Sequence, residues 1–432
     1  MGRSVPTVAL KTFGCRVNQV DSDALVRRLR EQGFAVVPFG APADAIVINT
    51  CTVTHVADRK ARGSINRALR DHPDALVAIT GCYATVQTAR LTELFPRAEV
   101  FPIVEQDRLV AAIARVAADA ATAPVPTVMN GFGEAARTRP MVKVQEGCDH
   151  VCAFCIVPRA RGRSRSRPMG EIVARVRDLV ATGAVEVVIT GVSLGSYRCP
   201  DGGDRVGRLV ARILAETDVP RVRISSIEPM DFDWDLLAAL GDGRVCAHLH
   251  LPLQSGSDRV LAAMRRPYTT AEYRALVEAI RAVSPEAAIG TDVMVGFPGE
   301  SDADYMTTRD LVEEIGFASL HAFPYSRRDR TLAALATIPV DDGTRNARLA
   351  DILDLGERLA RRYAERFEGA EREIVWEAAS DGVVSGLSDN YLRVEAKGGS
   401  ELIGRMGPAR IARIGQTRLA AVPVAATTPG GD

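Results

Sequence analysis

Short apolar runs alternate with helical stretches along most of this 432-residue chain. The first three runs are rich in Val and Ile and each ends on a cysteine: residues 7–15, 44–51 and 74–82. Strand-helix-strand order predicts a parallel sheet, whose strands end at one edge, where ligands bind. We therefore expect Cys15, Cys51 and Cys82 to lie close together, although small buried residues at strand ends would be an ordinary alternative for them.

Six further strand-like runs follow, at residues 140–147, 185–191, 221–228, 247–254, 289–297 and 319–326. Helical periodicity lies between them, at residues 169–182, 205–216, 233–240, 257–264, 270–283 and 302–315. Six βα units in about 190 residues predict an open or partial barrel with its site at the C-terminal strand ends.

The flanking segments suggest where domains begin and end. Small residues and Pro in 117–128 are typical of a linker, and a charged helical stretch occupies 344–368. Short strands separated by Gly, Ser and Asp turns predict a small β-barrel after it. The expected fold class is α/β with three domains: a parallel α/β sheet domain at 1–118, a partial (βα)6 barrel at 134–365 and a small β-barrel at 368–424.

Composition excludes several classes of protein. Lys and Arg total 54, as do Asp and Glu, so global basicity gives no argument for a nucleic-acid partner. No apolar run reaches the roughly 18 residues of a membrane span, and no signal peptide is recognisable, so we expect a cytoplasmic protein. Cysteines in a reducing cytosol are more often metal ligands or catalysts than disulfides.

Cys148, Cys152 and Cys155 share one short loop after the first strand of the predicted barrel. Cysteine thiolates are the usual protein ligands of 4Fe-4S clusters, and three of them leave one iron open. An amine and a carboxylate, such as those of the methionine moiety of S-adenosylmethionine, could bind that iron. These cysteines are the candidate catalytic residues, and Phe154 is expected to cover the cluster or an adenine, with plain packing as its alternative.

Zinc is a second interpretation of this loop, but zinc sites normally have four Cys or His ligands. His150 lies two residues from both Cys148 and Cys152, an awkward spacing for the fourth. A disulfide with a spare thiol is less favoured in a reducing compartment. We expect Cys199 and Cys246 to be structural or incidental.

A three-cysteine loop at the first strand of a six-unit βα barrel resembles the radical S-adenosylmethionine superfamily. QEGCDHVCAFCIVPRARGRSRSRP, HLHLPLQSGSDRVLAAMRRPYT and DVMVGFPGE resemble its methylthiotransferases. TFGCRVNQVDSDA, NTCTVTHVADRKAR and TGVSLGSY are most similar to the branch acting on threonylcarbamoyladenosine of tRNA. The similarity covers nearly the whole chain, and its C-terminal segment resembles the RNA-binding TRAM domain.

This resemblance implies a transferase that installs a methylthio group on C2 of N6-threonylcarbamoyladenosine next to the tRNA anticodon. It implies two 4Fe-4S clusters, one on the loop cysteines and an auxiliary one on Cys15, Cys51 and Cys82. S-adenosylmethionine would be both methyl donor and radical source. The implied partners are the tRNA anticodon stem-loop, an electron donor such as flavodoxin or ferredoxin, and a sulfur source.

By the same resemblance, S-adenosylmethionine contacts are expected along the barrel mouth. The residues are Phe154, Thr190, Gly191, Ser193, Ser226, Glu228, Gln254, Gly296, Phe297, Pro298 and Gly299. Each has a turn or cap role as its alternative, since Gly-Phe-Pro-Gly by itself is typical of a turn. Ser193 stands where this branch more often has His, and Asp329 and Arg330 replace the usual Pro-Gly before Thr331.

Five arginines alternate directly after the cysteine loop: Arg159, Arg161, Arg163, Arg165 and Arg167. Arginine binds phosphate through its planar guanidinium, so this run predicts RNA binding, with a solvated surface as the alternative. A second basic patch is more readily explained as surface: Arg59, Lys60, Arg62, Arg67 and Arg70.

Competing functions remain open at this point. Within the family, the substrate could be isopentenyladenosine of tRNA or an aspartate of a ribosomal protein, although the residues around Cys51 speak against both. A non-catalytic RNA-binding protein with structural metal sites is the alternative from another class. It predicts zinc in place of iron and tolerance of Cys148→Ala.

Overall fold

The computed structural model describes residues 5–119, 137–414 and 419–423. They fall into two compact units. The first contains the described residues up to Arg137 together with Glu146–Arg163 and Ser326–Ala334, and the second contains the rest. The cysteine loop therefore belongs to the same unit as the N-terminal sheet. No helix in these described ranges is long and apolar enough to cross a membrane.

The first unit is built on a parallel five-stranded sheet of order β2-β1-β3-β4-β5. Its strands are β1 (Thr7–Thr12), β2 (Ala35–Val37), β3 (Ala45–Thr50), β4 (Leu76–Gly81) and β5 (Ala98–Val100). Its helices are α1 (Arg16–Glu31), α2 (His55–Asp71), α3 (Cys82–Val86), α4 (Thr88–Leu94), α5 (Gln106–Asp119) and α6 (Val157–Arg161). The predicted linker begins inside α5, and its residues 120–128 lie outside the described part of the chain.

Apolar residues on both faces of this sheet are buried. Val8, Val36 and Val47 pack with residues of α1 and α5 on one face. Ile46 and Ile79 pack with residues of α2, α3 and α4 on the other face. Because both faces of the sheet are buried, its strands are continuous apolar runs in the sequence and show no alternation of apolar and polar residues.

The second unit contains six strands in the order β6-β8-β9-β10-β11-β12, with the short β7 beside β6. The strand pairings among these six are parallel, and isolated bridges join β9 to β10. The strands are β6 (Met141–Glu146), β7 (Arg165–Ser166), β8 (Val187–Gly191), β9 (Val222–Ile224), β10 (His248–His250), β11 (Ala288–Val295) and β12 (Ser319–Pro324). This is the predicted partial (βα)6 barrel.

Seven helices accompany these strands in the described ranges. They are α7 (Met169–Ala181), α8 (Val206–Glu216), α9 (Asp235–Ala239), α10 (Asp258–Ala263), α11 (Thr270–Val283), α12 (Asp302–Ile315) and α13 (Asp342–Glu365). Capping boxes begin two of them, with Thr269 and Glu272 at α11 and with Ser301 and Asp304 at α12. Such caps satisfy the first backbone N–H groups and explain why the predicted starts match closely.

The C-terminal strands close into a β-barrel of order β13-β14-β15-β17-β16. They are β13 (Glu371–Ser380), β14 (Val383–Ser388), β15 (Arg393–Lys397), β16 (Met406–Ile414) and β17 (Leu419–Pro423). Parallel pairing of β15 with β17 completes the closure, and Trp376 lies in the core. The predicted α/β fold class, with its small C-terminal β-barrel, is confirmed.

A buried ionic cluster joins the β-barrel to the βα barrel within the second unit. Glu186 accepts hydrogen bonds from Arg221 Nε at 2.6 Å and from Arg223 Nε at 2.7 Å. The same guanidinium groups donate to backbone carbonyls of the β-barrel, Arg221 to Glu373 and Leu387, and Arg223 to Ser388 and Asp389. Burial alone would raise the pKa of Glu186, but the arginines lower it to about 2.

Candidate functional site

Three cysteines lie at neighbouring strand ends of the N-terminal sheet. Cys15 is the N-cap of α1, Cys51 follows β3 directly, and Cys82 is the first residue of α3. Strand β3 pairs in parallel with both β1 and β4, so the three C-terminal ends share one edge. The structure thus brings together cysteines that are 36 and 31 positions apart in sequence.

The three thiols are close enough to influence one another electrostatically. Burial raises the pKa of the Cys82 thiol to about 12, and Cys51 and Cys15 add to the rise. Burial also raises the pKa of Cys51, and Cys15 adds to it. A thiol cluster of this kind is costly to ionise without a cation, and bound iron would supply that positive charge.

Two glycines at these strand ends have no room for a side chain. A Cβ on Gly14 would lie 2.9 Å from Cys51 Sγ, and one on Gly81 would lie 2.3 Å from the Thr50 carbonyl oxygen. Both residues have positive φ, +102° and +95°, a region that favours glycine. These glycines allow the backbone to turn tightly beside the thiols.

The second cysteine set occupies the loop between β6 and α6. The Cys148 N–H donates to the Gly162 carbonyl at 3.0 Å, and the Cys155 N–H donates to the Cys152 carbonyl at 3.1 Å. Cys148, Cys152 and Cys155 are partly exposed, and Phe154 is half-buried. Three accessible thiols on one turn-forming loop suit a cluster that keeps one iron open.

Arg161 connects this loop to the strand-end cysteines. Its guanidinium donates to Glu146 at 2.6 Å, to Asp21 at 2.9 Å, and to Asn18. It also lowers the pKa of Cys82, on which burial has the larger, opposite effect. One buried cation within the first unit thus lies beside Cys82 and ties the segment that carries the cysteine loop to α1.

Burial of Arg161 corrects the expectation that all five arginines bind RNA. Only 2% of its side chain is exposed, and the carboxylates and amide just described surround it. A guanidinium engaged in this way presents no free edge to a phosphate. The other four arginines of the run are exposed: Arg159, Arg163, Arg165 and Arg167.

The residues expected to contact S-adenosylmethionine at β8 lie at its C-terminal end. Thr190 and Gly191 close that strand, and Ser193 is buried just beyond it. The Ser193 N–H donates to Gln145 Oε1 at 2.8 Å, and its hydroxyl lies 2.9 Å from the hydroxyl of Ser196. Ser193, which stands where the threonylcarbamoyladenosine branch more often has His, therefore has hydrogen-bond partners within the protein.

Ser226 and Glu228 lie just after β9, and Gln254 lies just after β10. Ser226 Oγ is 2.8 Å from His250 Nδ1, and Glu228 forms an ion pair with Arg266. Gln254 has a φ of +65°, and its buried Oε1 has no hydrogen-bond partner among the described residues. An orphaned buried acceptor at this edge fits a donor from a bound molecule.

The Gly-Phe-Pro-Gly turn follows β11. Gly296 has a φ of +72°, and a Cβ there would lie 2.5 Å from Arg345 Cγ. Phe297 packs edge-to-face on Tyr325 with ring centroids 5.7 Å apart, and the Gly299 N–H donates to Ile338 at 2.8 Å. Pro298 lies between them in the half-buried part of the turn. The turn is fixed in place at the same edge of the barrel.

Known families match both cysteine regions. Residues 7–102 match the uncharacterized protein family UPF0004, and residues 142–312 match the radical SAM superfamily. The chain is 35% identical to a threonylcarbamoyladenosine tRNA methylthiotransferase, MtaB, of Bacillus subtilis (strain 168), covering 95% of this chain and 94% of that protein. This chain belongs to the radical S-adenosylmethionine methylthiotransferase family. The family predicted from the sequence is confirmed.

Related proteins named for a different substrate are almost as similar. A tRNA-2-methylthio-N(6)-dimethylallyladenosine synthase of Maricaulis maris (strain MCS10) is 33% identical, covering 93% of this chain and 94% of that protein. Among solved structures, the radical S-adenosylmethionine methyltransferase TsrM of Kitasatospora setae matches with a TM-score of 0.57 at 15% identity, covering 89% and 81% of the two chains. That likeness concerns the fold alone.

Sequence reasoning missed a polar cluster on the βα barrel of this methylthiotransferase. Asp292 Oδ1 lies 3.2 Å from His250 Nε2 and 3.5 Å from His321 Nδ1. Burial alone would raise the pKa of Asp292, but the two histidines hold it well below its usual range. The signal was available, because His250, Asp292 and His321 lie in strands β10, β11 and β12; Asp292 pairs in register with His321, and His250 pairs with Gly290, two residues before Asp292.

Proposed function

We propose that this protein transfers a methylthio group to C2 of N6-threonylcarbamoyladenosine next to the anticodon of tRNA. The observation that carries the proposal is the presence of two three-cysteine sets in one compact unit. A single set would serve radical chemistry. A second set supplies a place for the sulfur that the product contains.

Two 4Fe-4S clusters fit these residues. Cys148, Cys152 and Cys155 would hold the first, and the three strand-end cysteines would hold the auxiliary one. With S-adenosylmethionine bound, this arrangement supplies the radical that an unactivated aromatic C–H bond requires, which side-chain acids and bases cannot provide. The protein's own part is to position the cysteines and to bury two of the strand-end set, Cys51 and Cys82.

The division of labour along the chain is part of the proposal. Residues 1–118 would carry the auxiliary cluster, 134–365 the radical chemistry and 368–424 RNA binding. The eleven expected contact residues would hold S-adenosylmethionine at the barrel mouth, and Arg159, Arg163, Arg165 and Arg167 would bind the tRNA backbone. We also propose a cytoplasmic enzyme served by a flavodoxin or ferredoxin and by a separate sulfur source.

Iron counting tests the two-cluster arrangement. After anaerobic reconstitution, Cys82→Ala and Cys148→Ala should each lose about half of the iron and sulfide of the parent, because each removes one ligand set. Cys246→Ala is the matched control, since Cys246 is also buried but belongs to neither set. One cluster in the parent, or zinc in place of iron, would contradict the proposal.

Mass analysis of modified adenosines tests the reaction. tRNA from cells that lack the gene should contain N6-threonylcarbamoyladenosine without its methylthio derivative, and the purified protein should restore that derivative. Methylthio groups on dimethylallyladenosine alone would favour the substrate of the Maricaulis relative.

A further inference from the structure

A small polar pocket in the first unit lies beside both cysteine sets. It has a volume of about 150 Å³, and its walls include Thr52, Asp58, Arg62, Tyr83, Arg90 and Arg328. Helices α2, α3 and α4 supply most of these side chains. None of the residues expected to contact S-adenosylmethionine lines it.

Chain connectivity places the pocket next to the proposed clusters. Thr52 follows Cys51, and Tyr83 follows Cys82. Ile156, which also lines the pocket, follows Cys155. A group bound here is therefore held by residues adjacent in sequence to cysteines of both sets, as a substituent of the reacting base would have to be.

One ion pair forms part of the pocket wall. Arg328 Nη1 donates to Asp58 Oδ2 at 2.6 Å, and both side chains are more than nine-tenths buried. Each keeps one unused atom: Asp58 Oδ1 and Arg328 Nε are buried without a hydrogen-bond partner among the described residues. A buried acceptor and a buried donor left open on the wall of a cavity favour a ligand that carries both kinds of group.

Two further arginines add positive charge to the pocket, whose lining also includes His55 and a second carboxylate, Asp329. Arg62 donates to the Tyr83 hydroxyl at 3.0 Å, and Arg90 is exposed on α4. Neither has a carboxylate partner within the described part of the chain. Since Asp58 is already paired, Arg62 and Arg90 are available for an anion.

We propose that this pocket binds the threonylcarbamoyl group of the substrate and so sets the specificity of the enzyme. Its carboxylate would pair with Arg62 and Arg90, a urea N–H or the hydroxyl would donate to Asp58 Oδ1, and the urea carbonyl would accept from Arg328 Nε. A dimethylallyl group has no polar atom for any of these partners and would leave them unsatisfied. This inference rests on the proposed function, because the pocket would recognise the substrate of that reaction.

Equilibrium binding tests the pocket without any turnover. The full-length protein is titrated with N6-threonylcarbamoyladenosine nucleoside and with its carboxyl methyl ester, neither of which contains phosphate. The parent should bind the free acid about 10- to 100-fold more tightly than the ester, because an ionised partner strengthens the hydrogen bonds. In Arg62→Gln and Arg90→Gln that preference should shrink to about 2-fold or less, since the cation is gone.

Arg67→Gln is the matched control, because Arg67 is exposed on the same helix but does not line the pocket. It should keep the preference of the parent, and equal iron content in all variants shows that they fold. Equal affinity of the parent for acid and ester would overturn the inference. So would an equal loss in Arg62→Gln of affinity for unmodified and modified stem-loop RNA, which would indicate a phosphate site.

Turnover separates this inference from the proposed function. With a stem-loop RNA that carries N6-threonylcarbamoyladenosine, the pocket variants should raise KM about 10- to 100-fold with a smaller change in kcat. A parent that never methylthiolates this RNA refutes the proposed function, while the nucleoside titration still decides the pocket. An active parent whose Arg62 and Arg90 variants keep its KM refutes the pocket alone.

Discussion

Glu186→Gln should destabilise the second unit by about 3–5 kcal/mol, because it leaves two buried arginines without their counter-charge. Glu186 and Arg223 have 0% of their side chains exposed, and Arg221 has 3%. The carboxylate accepts from both guanidinium groups at 2.6 and 2.7 Å. The amide of Gln is neutral, so the arginines would keep their carbonyl partners on the β-barrel and lose their charge partner.

The pKa of Glu186 also indicates how much its ionised carboxylate stabilises the fold. Burial alone would raise it, but Arg223 and Arg221 lower it from 4.5 to about 2. At about 1.4 kcal/mol for each pKa unit, the ionised carboxylate stabilises the fold by about 3 kcal/mol.

The stability of the protein in acid should also depend on Glu186. The unfolded chain takes up a proton at Glu186 near pH 4.5, whereas the folded protein takes it up only near pH 2. The stabilisation is therefore complete above about pH 4.5 and is lost as pH falls toward 2. Glu186→Gln should remove this part of the acid dependence, so that the stability of the variant and of the parent converge at low pH.

Urea unfolding at pH 7 measures the difference, and limited proteolysis reports whether the C-terminal β-barrel is released first. Glu314→Gln is the matched control, because Glu314 also accepts two hydrogen bonds from one arginine, Arg274, but lies at the surface. That exposed pair should contribute at most about 1 kcal/mol. A loss below about 1 kcal/mol for Glu186→Gln, or equal losses for both variants, would refute the reasoning.

Substitutions at three further residues examine the cysteine loop and the helix that follows it. A Cβ on Gly147 would lie 2.0 Å from the Arg163 carbonyl oxygen, so Gly147→Ala should displace the loop and lower its iron content. Gly162→Ala meets nothing within 4 Å and should cost only the roughly 1–3 kcal/mol of its positive φ, with iron retained; equal iron in both variants would contradict this. Arg161→Leu should lower the unfolding free energy of the apoprotein by about 3 kcal/mol, because it removes the ion-pair partner of both Asp21 and Glu146. Arg161→Lys should recover only part of that loss in urea unfolding, since an ammonium cannot match the planar fork; full recovery would show that charge alone suffices.

The alternation of apolar and helical segments was enough to predict the order of the main strands. All six predicted runs of the central region contain a strand, and three predicted N-terminal runs became β1, β3 and β4. Strands β2, β5 and β17 were missed: they have three to five residues, too few for a periodic signal, whereas the equally short β9 and β10 lie inside longer strand-like runs of eight residues. The convergence of the strand-end cysteines followed from the direction of parallel strands, a rule that needs no tertiary information.

The sequence by itself determined the family, the α/β fold and the six cysteines, since these depend on local spacing and on period. Tertiary structure alone decided that Arg161 is internal while its four neighbours in the run are exposed. One turn of helix, α6, directs it toward Asn18 and Asp21, which lie 143 and 140 positions away. The pocket has the same origin, because Asp58 and Arg328 are 270 positions apart and meet only when the chain folds. Contacts over such separations leave no periodic trace in a single sequence, and so both sites became visible only in three dimensions.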